Sequence, residues 1–151
     1  MTIQVDSREK ARAIKSILKT FEDSGTAYFV SKLYVGDYQS LDNPRLVIDR
    51  KQNLLELAQN VCQGHKRFVA ELQRAKDAGI KVIVLCEHGY GIKELADVNR
   101  WYNPRLKSSP LAVSGQRLFK ILYAIQHKYN VDFVFCEKCE TGNKIISLLG
   151  G

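Results

Sequence analysis

A chain of 151 residues with 45% hydrophobic content and no low-complexity tract is long enough to bury a proper core, and a single domain over residues 1–151 is expected. Twenty-three Lys and Arg against sixteen Asp and Glu leave a formal charge of +7, which favours a polyanionic partner, nucleic acid first, through phosphate contacts and counterion release. There is no apolar run of about 18 residues and no charged-then-apolar leader, so no membrane partner is expected. The chain reads as soluble and cytoplasmic, in a bacterium or a virus's host cell, or nuclear if eukaryotic.

Thr2 to Val5 reads as a short apolar strand, and Arg8 to Phe21 as a helix with Ala11, Ile14, Ile17, Leu18 and Phe21 on one face. The other face of that helix is basic. Ala27 to Tyr34, Asp37 to Leu41 and Leu46 to Lys51 read as three strands of an antiparallel meander, with Gly36 and Asp42-Asn43-Pro44 at the turns. Gln52 to Asp77 is helical by apolar clustering, with Leu55 in a buried stripe beside Leu54, Ala58 and Val61, and is interrupted near Gly64-His65-Lys66-Arg67. Lys81 to Cys86 is a near-continuous apolar strand, as expected when helices cover both faces of a sheet. Ile92 to Pro110 is polar, Gly115 to Tyr129 is an amphipathic helix capped by Ser114, Val131 to Cys136 is a last buried strand, and Thr141 to Leu149 a last helix.

The chemistry concentrates in three short motifs: Asp6-Ser7-Arg8-Glu9, Gly36-Asp37-Tyr38 and Asp49-Arg50-Lys51. Side chains alternate along a strand, so Asp49 and Lys51 project from the same face and Arg50 from the other. A short hairpin would bring Asp37 beside Asp49. Two converging carboxylates can hold a hard divalent cation, Mg²⁺ or Mn²⁺, that shares its shell with water and a substrate phosphate. Lys51 would then orient or activate the attacking water and offset charge building on the phosphate.

These three motifs, in this order and spacing, resemble the nuclease domain of the XPF/Hef group of structure-specific DNA endonucleases, within the PD-(D/E)xK superfamily. That group's pattern is GD, a variable gap, ERK, three residues, then D. Asp49 stands where the group usually has Glu, and the closing acid falls at Leu55, with Glu56 one position later, turned by about 100° on a helix. The resemblance implies a restriction-endonuclease-like α/β fold, a central mixed β-sheet flanked by helices. It also implies a metal-dependent DNA endonuclease with a preference for branched or flapped DNA, a homodimer, and a stand-alone or phage-like version of the group.

On this reading Asp37, Asp49, Lys51 and Arg50 are the catalytic candidates and Asp6, Asp37 and Asp49 the metal ligands, with Glu9 and Glu56 as further acids. Arg50 would order the site from behind or reach a phosphate. Candidate DNA contacts are Arg8 at the site edge, Lys66 and Arg67 as a phosphate clamp, and Trp101 and Arg105 in the aromatic-cationic run Arg100 to Lys107. Two readings of Trp101 stay open: a platform for an unpaired base, or an anchor for its loop. His65 reads as a surface histidine. Cys136-x-x-Cys139, with Cys86 and His88, could make a zinc site but fits two packed thiols as well. A non-catalytic DNA-binding subunit and an RNA-directed nuclease are the alternative functions.

Overall fold

A computed structural model describes residues 1–150. Six strands form one mixed sheet: β1 (Thr2–Val5), β2 (Ala27–Val30), β3 (Tyr38–Ser40), β4 (Leu46–Lys51), β5 (Lys81–Glu87) and β6 (Asp132–Cys136), in the order β2-β1-β3-β4-β5-β6. Five helices, α1 (Lys15–Asp23), α2 (Leu54–Cys62), α3 (His65–Asp77), α4 (Gly115–Tyr129) and α5 (Thr141–Gly150), cover it. The expected α/β class with a central mixed sheet is what the chain forms.

Strand alternation divides the core. Val47, Val84 and Cys86 point to the face packed by α2, α3 and α4, while Ile48, Ile83 and Leu85 point to the face packed by α1 and α5. Strand β5 is buried on both faces and pairs in parallel with β4 and β6, which explains its unbroken apolar run. Local chemistry sets the helix ends. Asn53 Oδ1 accepts from Glu56 N–H at 2.8 Å to cap α2, Ser114 Oγ accepts from Arg117 N–H at 3.2 Å to cap α4, and Asn130 closes α4 in the left-handed region. Among the described residues, no helix is long and apolar enough to cross a membrane.

Three expectations are corrected. The first helix begins at Lys15, preceded by turns at residues 7–8 and 11–14. Ile14 offers no side-chain cap, and Lys10 and Arg12 would bring cations to the positive end of a helix dipole. Strand β2 stops at Val30, and the meander is broken because β1 lies between β2 and β3, parallel to one and antiparallel to the other. Residues 31–37 cross the end of β1 as an irregular segment, drawn there by Gln4 Nε2 donating to the Lys32 carbonyl at 3.2 Å and Leu33 N–H donating to Asp6. On α2, Leu54, Leu57, Ala58 and Val61 are buried, whereas Leu55, expected in that stripe, is only half-buried and lines a cleft.

Candidate active site

The pairing Tyr38↔Ile48 carries Asp37 opposite Asp49 one position further along the ladder. Gly36 makes that approach possible: its φ is +79°, and an added Cβ would lie 2.9 Å from Val47 Cβ. Asp37 N–H donates to the Ile48 carbonyl at 2.8 Å, and Arg50 N–H donates to Asp37 Oδ2 at 2.7 Å, so the backbone of β4 fixes the carboxylate. Lys51 lies on the same strand face as Asp49, its Nζ 3.4 Å from Asp49 Oδ2 and over the Phe68 ring at 5.5 Å from the centroid. Asp37, Asp49 and Lys51 therefore share one small cleft of about 240 Å³ with Asp6, Arg8, Glu9 and Glu71 around it.

The electrostatics of this cleft are unbalanced. Burial first, then the Asp49 and Glu9 charges, push the Asp37 carboxyl well above the usual carboxylate range. Burial alone would lower the Lys51 ammonium, but Asp49, Asp37 and Glu56 outweigh it and leave its pKa raised, so the side chain remains cationic. One ammonium thus faces two adjacent carboxylates. An all-oxygen donor pair with an excess of negative charge fits a hard divalent cation, with Asp37 and Asp49 as the groups that would hold it.

Asp6 belongs to a different arrangement. It lines the same cleft, but its Oδ2 accepts from Arg8 Nε at 2.8 Å and its Oδ1 from Leu33 N–H at 2.8 Å. Among the described residues, no three His, Cys, Asp or Glu groups gather as a ready-made ligand set, and Asp6, expected as a ligand, reaches the cleft with both carboxylate oxygens already engaged. Arg8 sits at the cleft edge as expected, also donating to the Leu33 carbonyl at 3.2 Å.

Arg50, on the opposite strand face, is buried and held from both sides. Its Nε donates to Glu9 Oε2 at 2.8 Å and its Nη1 to Glu87 Oε1, while Tyr38 Oη donates to Glu9 Oε2 at 2.7 Å. Thr141 Oγ1 donates to Glu87 Oε2 at 2.6 Å, extending the network to the start of α5. The Arg50 guanidinium is thus committed to Glu9 and Glu87 beneath the cleft. Glu87, Thr141 and Glu71 were not singled out in the sequence. An acid closing an otherwise apolar strand was a readable signal for Glu87; Glu71, which accepts from Gly36 N–H at 3.3 Å, had none beyond its place beside the buried stripe of α3.

Lys66 and Arg67 are exposed in the first turn of α3, as is His65. Trp101 is half-buried against the core and Arg105 exposed, on the consecutive 3₁₀ turns Leu95–Arg100 and Pro104–Lys107 and the link between them. Cys86 and Cys136 are buried while Cys139 is exposed, its thiol turned toward Glu137.

No curated protein matches this chain. The family model of the ERCC4 domain matches residues 5–148. Among solved structures, the chain is similar to XPF from Aeropyrum pernix, alone and in a complex with DNA, each at 23% identity with a TM-score of 0.68, covering 99% of this chain. It spans 63% of those longer chains. The matched architecture is the same mixed sheet flanked by helices, and the family match takes in all three motifs, so the chain belongs to the ERCC4 domain family and shares the XPF fold.

Proposed function

We propose that this domain hydrolyses DNA phosphodiester bonds with Mg²⁺ or Mn²⁺, preferring branched or flapped DNA. The observation that carries the reading is the Asp37–Asp49–Lys51 group, an acid pair with a net negative charge and one neighbouring ammonium, within an ERCC4 domain. Support for DNA as the substrate comes from the +7 charge and from the relative solved in complex with DNA.

A divalent ion, held by Asp37 and Asp49, would supply Lewis-acid polarisation of the phosphoryl group. Lys51, cationic in this setting, would donate to a phosphate oxygen and offset the charge that develops there, a contribution made mainly in the transition state. Water orientation belongs to the same ammonium; with a raised pKa it is a poor general base. Arg50 would keep Asp37 aimed through its backbone N–H while its side chain secures Glu9. Arg8 at the cleft edge, and Lys66 and Arg67 in the first turn of α3, where the helix dipole disfavours unpartnered cations, are proposed phosphate contacts. Dimerisation is proposed on the family resemblance.

Leu55, at the position of the pattern's closing acid, favours one second reading, a DNA-binding subunit without turnover. Labelled flap, fork, four-way junction and linear DNAs, with matched RNAs, incubated with Mg²⁺, Mn²⁺ or EDTA separate these readings. Metal-dependent cutting of a branched DNA is the expected result. Binding without cutting in any metal would favour the second reading.

A further inference from the structure

A second, larger cleft of about 580 Å³ opens at the carboxyl ends of the three parallel strands, where β4 passes into Gln52 and Asn53, β5 into His88 and β6 into Glu137. Ligands of parallel sheets are bound outside such strand ends. This cleft is one residue along the chain from Lys51, and Glu87, which lines it, is the residue that holds Arg50. Its volume falls in the range of small-molecule sites.

Aromatic rings dominate one side. His88 lies edge-on to Trp101 with centroids 6.4 Å apart and to Tyr90 at 5.7 Å. His88 Nδ1 accepts from Leu54 N–H at 3.3 Å, which leaves Nε2–H as the ring's donor. Trp101 is held in place by the close approach of its loop to α4. An added Cβ at Gly115 would lie 2.6 Å from the Val98 carbonyl, so only glycine admits that contact. Tyr90 is different: it is 93% exposed and carries a φ of +58°, a costly backbone for a bulky residue with little packing to stabilise it.

Resting on the nuclease reading, we infer that this cleft receives one unpaired nucleobase of the DNA strand whose phosphate lies at Asp37, Asp49 and Lys51, with Trp101 as its wall and Tyr90 as the closing ring. Base-aromatic stacking tolerates any base, so the cleft would select for unpaired structure over sequence. Extraction of a base is easiest where pairing is already lost, which is at a branch or flap.

The test uses the full chain and DNA binding in EDTA, where turnover does not interfere. A fluorescent flap DNA carries a single abasic analogue at each position around the junction in turn, and anisotropy gives the affinity. In the wild-type protein, base removal at one or two consecutive positions is expected to weaken binding roughly tenfold, the scale of one stacking contact. Tyr90→Ala should weaken binding to intact DNA by a similar factor and lose the position dependence, and Tyr90→Phe should keep both. With its side chain in solvent, Tyr90 can be truncated without unfolding the domain. Indifference of the wild type to every abasic position, or equal sensitivity in wild type and Tyr90→Ala, overturns the base site. Cleavage of intact flap DNA is measured separately: cutting without position dependence sinks this site and spares the nuclease reading, position dependence without cutting does the reverse, and no DNA binding at all overturns both.

Discussion

The turn after β1 and the facing ends of β3 and β4 are built from the same kind of residue and end in opposite states. At the turn, the buried Asp6 carboxylate has Arg8 on one oxygen and Leu33 N–H on the other. At the strand ends, Asp37 and Asp49 sit side by side with Lys51 as their nearby cation, and Asp37 is pushed up. An acid that the fold satisfies stabilises the fold; acids left in surplus await something from outside.

The sharpest way to break this comparison is at the surplus pair. Asp49→Asn or Lys51→Ala should reduce cleavage at least about a hundredfold while leaving folding and DNA affinity nearly intact, because both act on charge that develops in the transition state. Single-turnover rates with bound substrate check it. Near-normal turnover in both variants would remove the cleft from the chemistry.

Stability should separate the two acids with opposite signs. Asp6→Asn weakens charged hydrogen bonds in a buried turn and should cost about 1–3 kcal/mol. Asp37→Asn should do the reverse in the absence of divalent ions. The folded state raises the Asp37 pKa, so it holds that proton to higher pH than the unfolded chain; the group's contribution is present below its unfolded pKa and is lost as pH rises through the folded value. Above its unfolded pKa the Asp37 acid is therefore a net cost to the fold that Asn removes while still accepting from Arg50 N–H. Thermal unfolding in EDTA should show a higher midpoint for Asp37→Asn, a lower one for Asp6→Asn, and a smaller gain for Asp37→Asn once Mg²⁺ can stabilise the wild type. A drop for both would mean that the two acids are alike.

Behind the cleft, Thr141→Val tests whether the buried network positions the site. Losing the hydroxyl leaves Glu87 with one donor fewer in a buried place, for about 1–3 kcal/mol of stability. Turnover should fall less than about tenfold, and Thr141→Ser should restore it. A Val variant as inactive as Lys51→Ala would mean that the network reaches the chemistry more directly.

Local periodicity made the front of the site legible. Alternation put Asp49 and Lys51 on one face, and the hairpin between β3 and β4 is short enough that Asp37 could be placed opposite Asp49 before any fold was known. The back was hidden because its pairs are distant in sequence: Arg50 meets Glu9 across 41 residues and Glu87 across 37, and Thr141 meets Glu87 across 54. The partners that engage Asp6 were hidden for the same reason. Its partner Leu33 lies 27 residues away, on a segment that crosses β1 only because β1 inserts between β2 and β3, an order that strand patterns do not encode.

The smallest expected effect is at Glu56, and it decides where the acidic cluster ends. The family pattern places its last acid at Leu55, and Glu56 is the adjacent carboxylate. Its backbone N–H is given to Asn53 Oδ1 at 2.8 Å, which fixes it in the first turn of α2, where a negative charge suits the helix dipole. Its charge reaches Lys51, but only after the contributions of Asp49 and Asp37. If those two suffice, Glu56→Gln leaves Lys51 cationic and the acid pair untouched, and turnover should fall by no more than about threefold, under 1 kcal/mol of barrier at 1.4 kcal/mol per factor of ten. Leu55→Asp should then bring no large gain. Steady-state rates on the best DNA substrate measure it: a thousandfold loss for Glu56→Gln at unchanged affinity would make Glu56 a member of the cluster, and the surplus charge of the cleft would be three carboxylates instead of two.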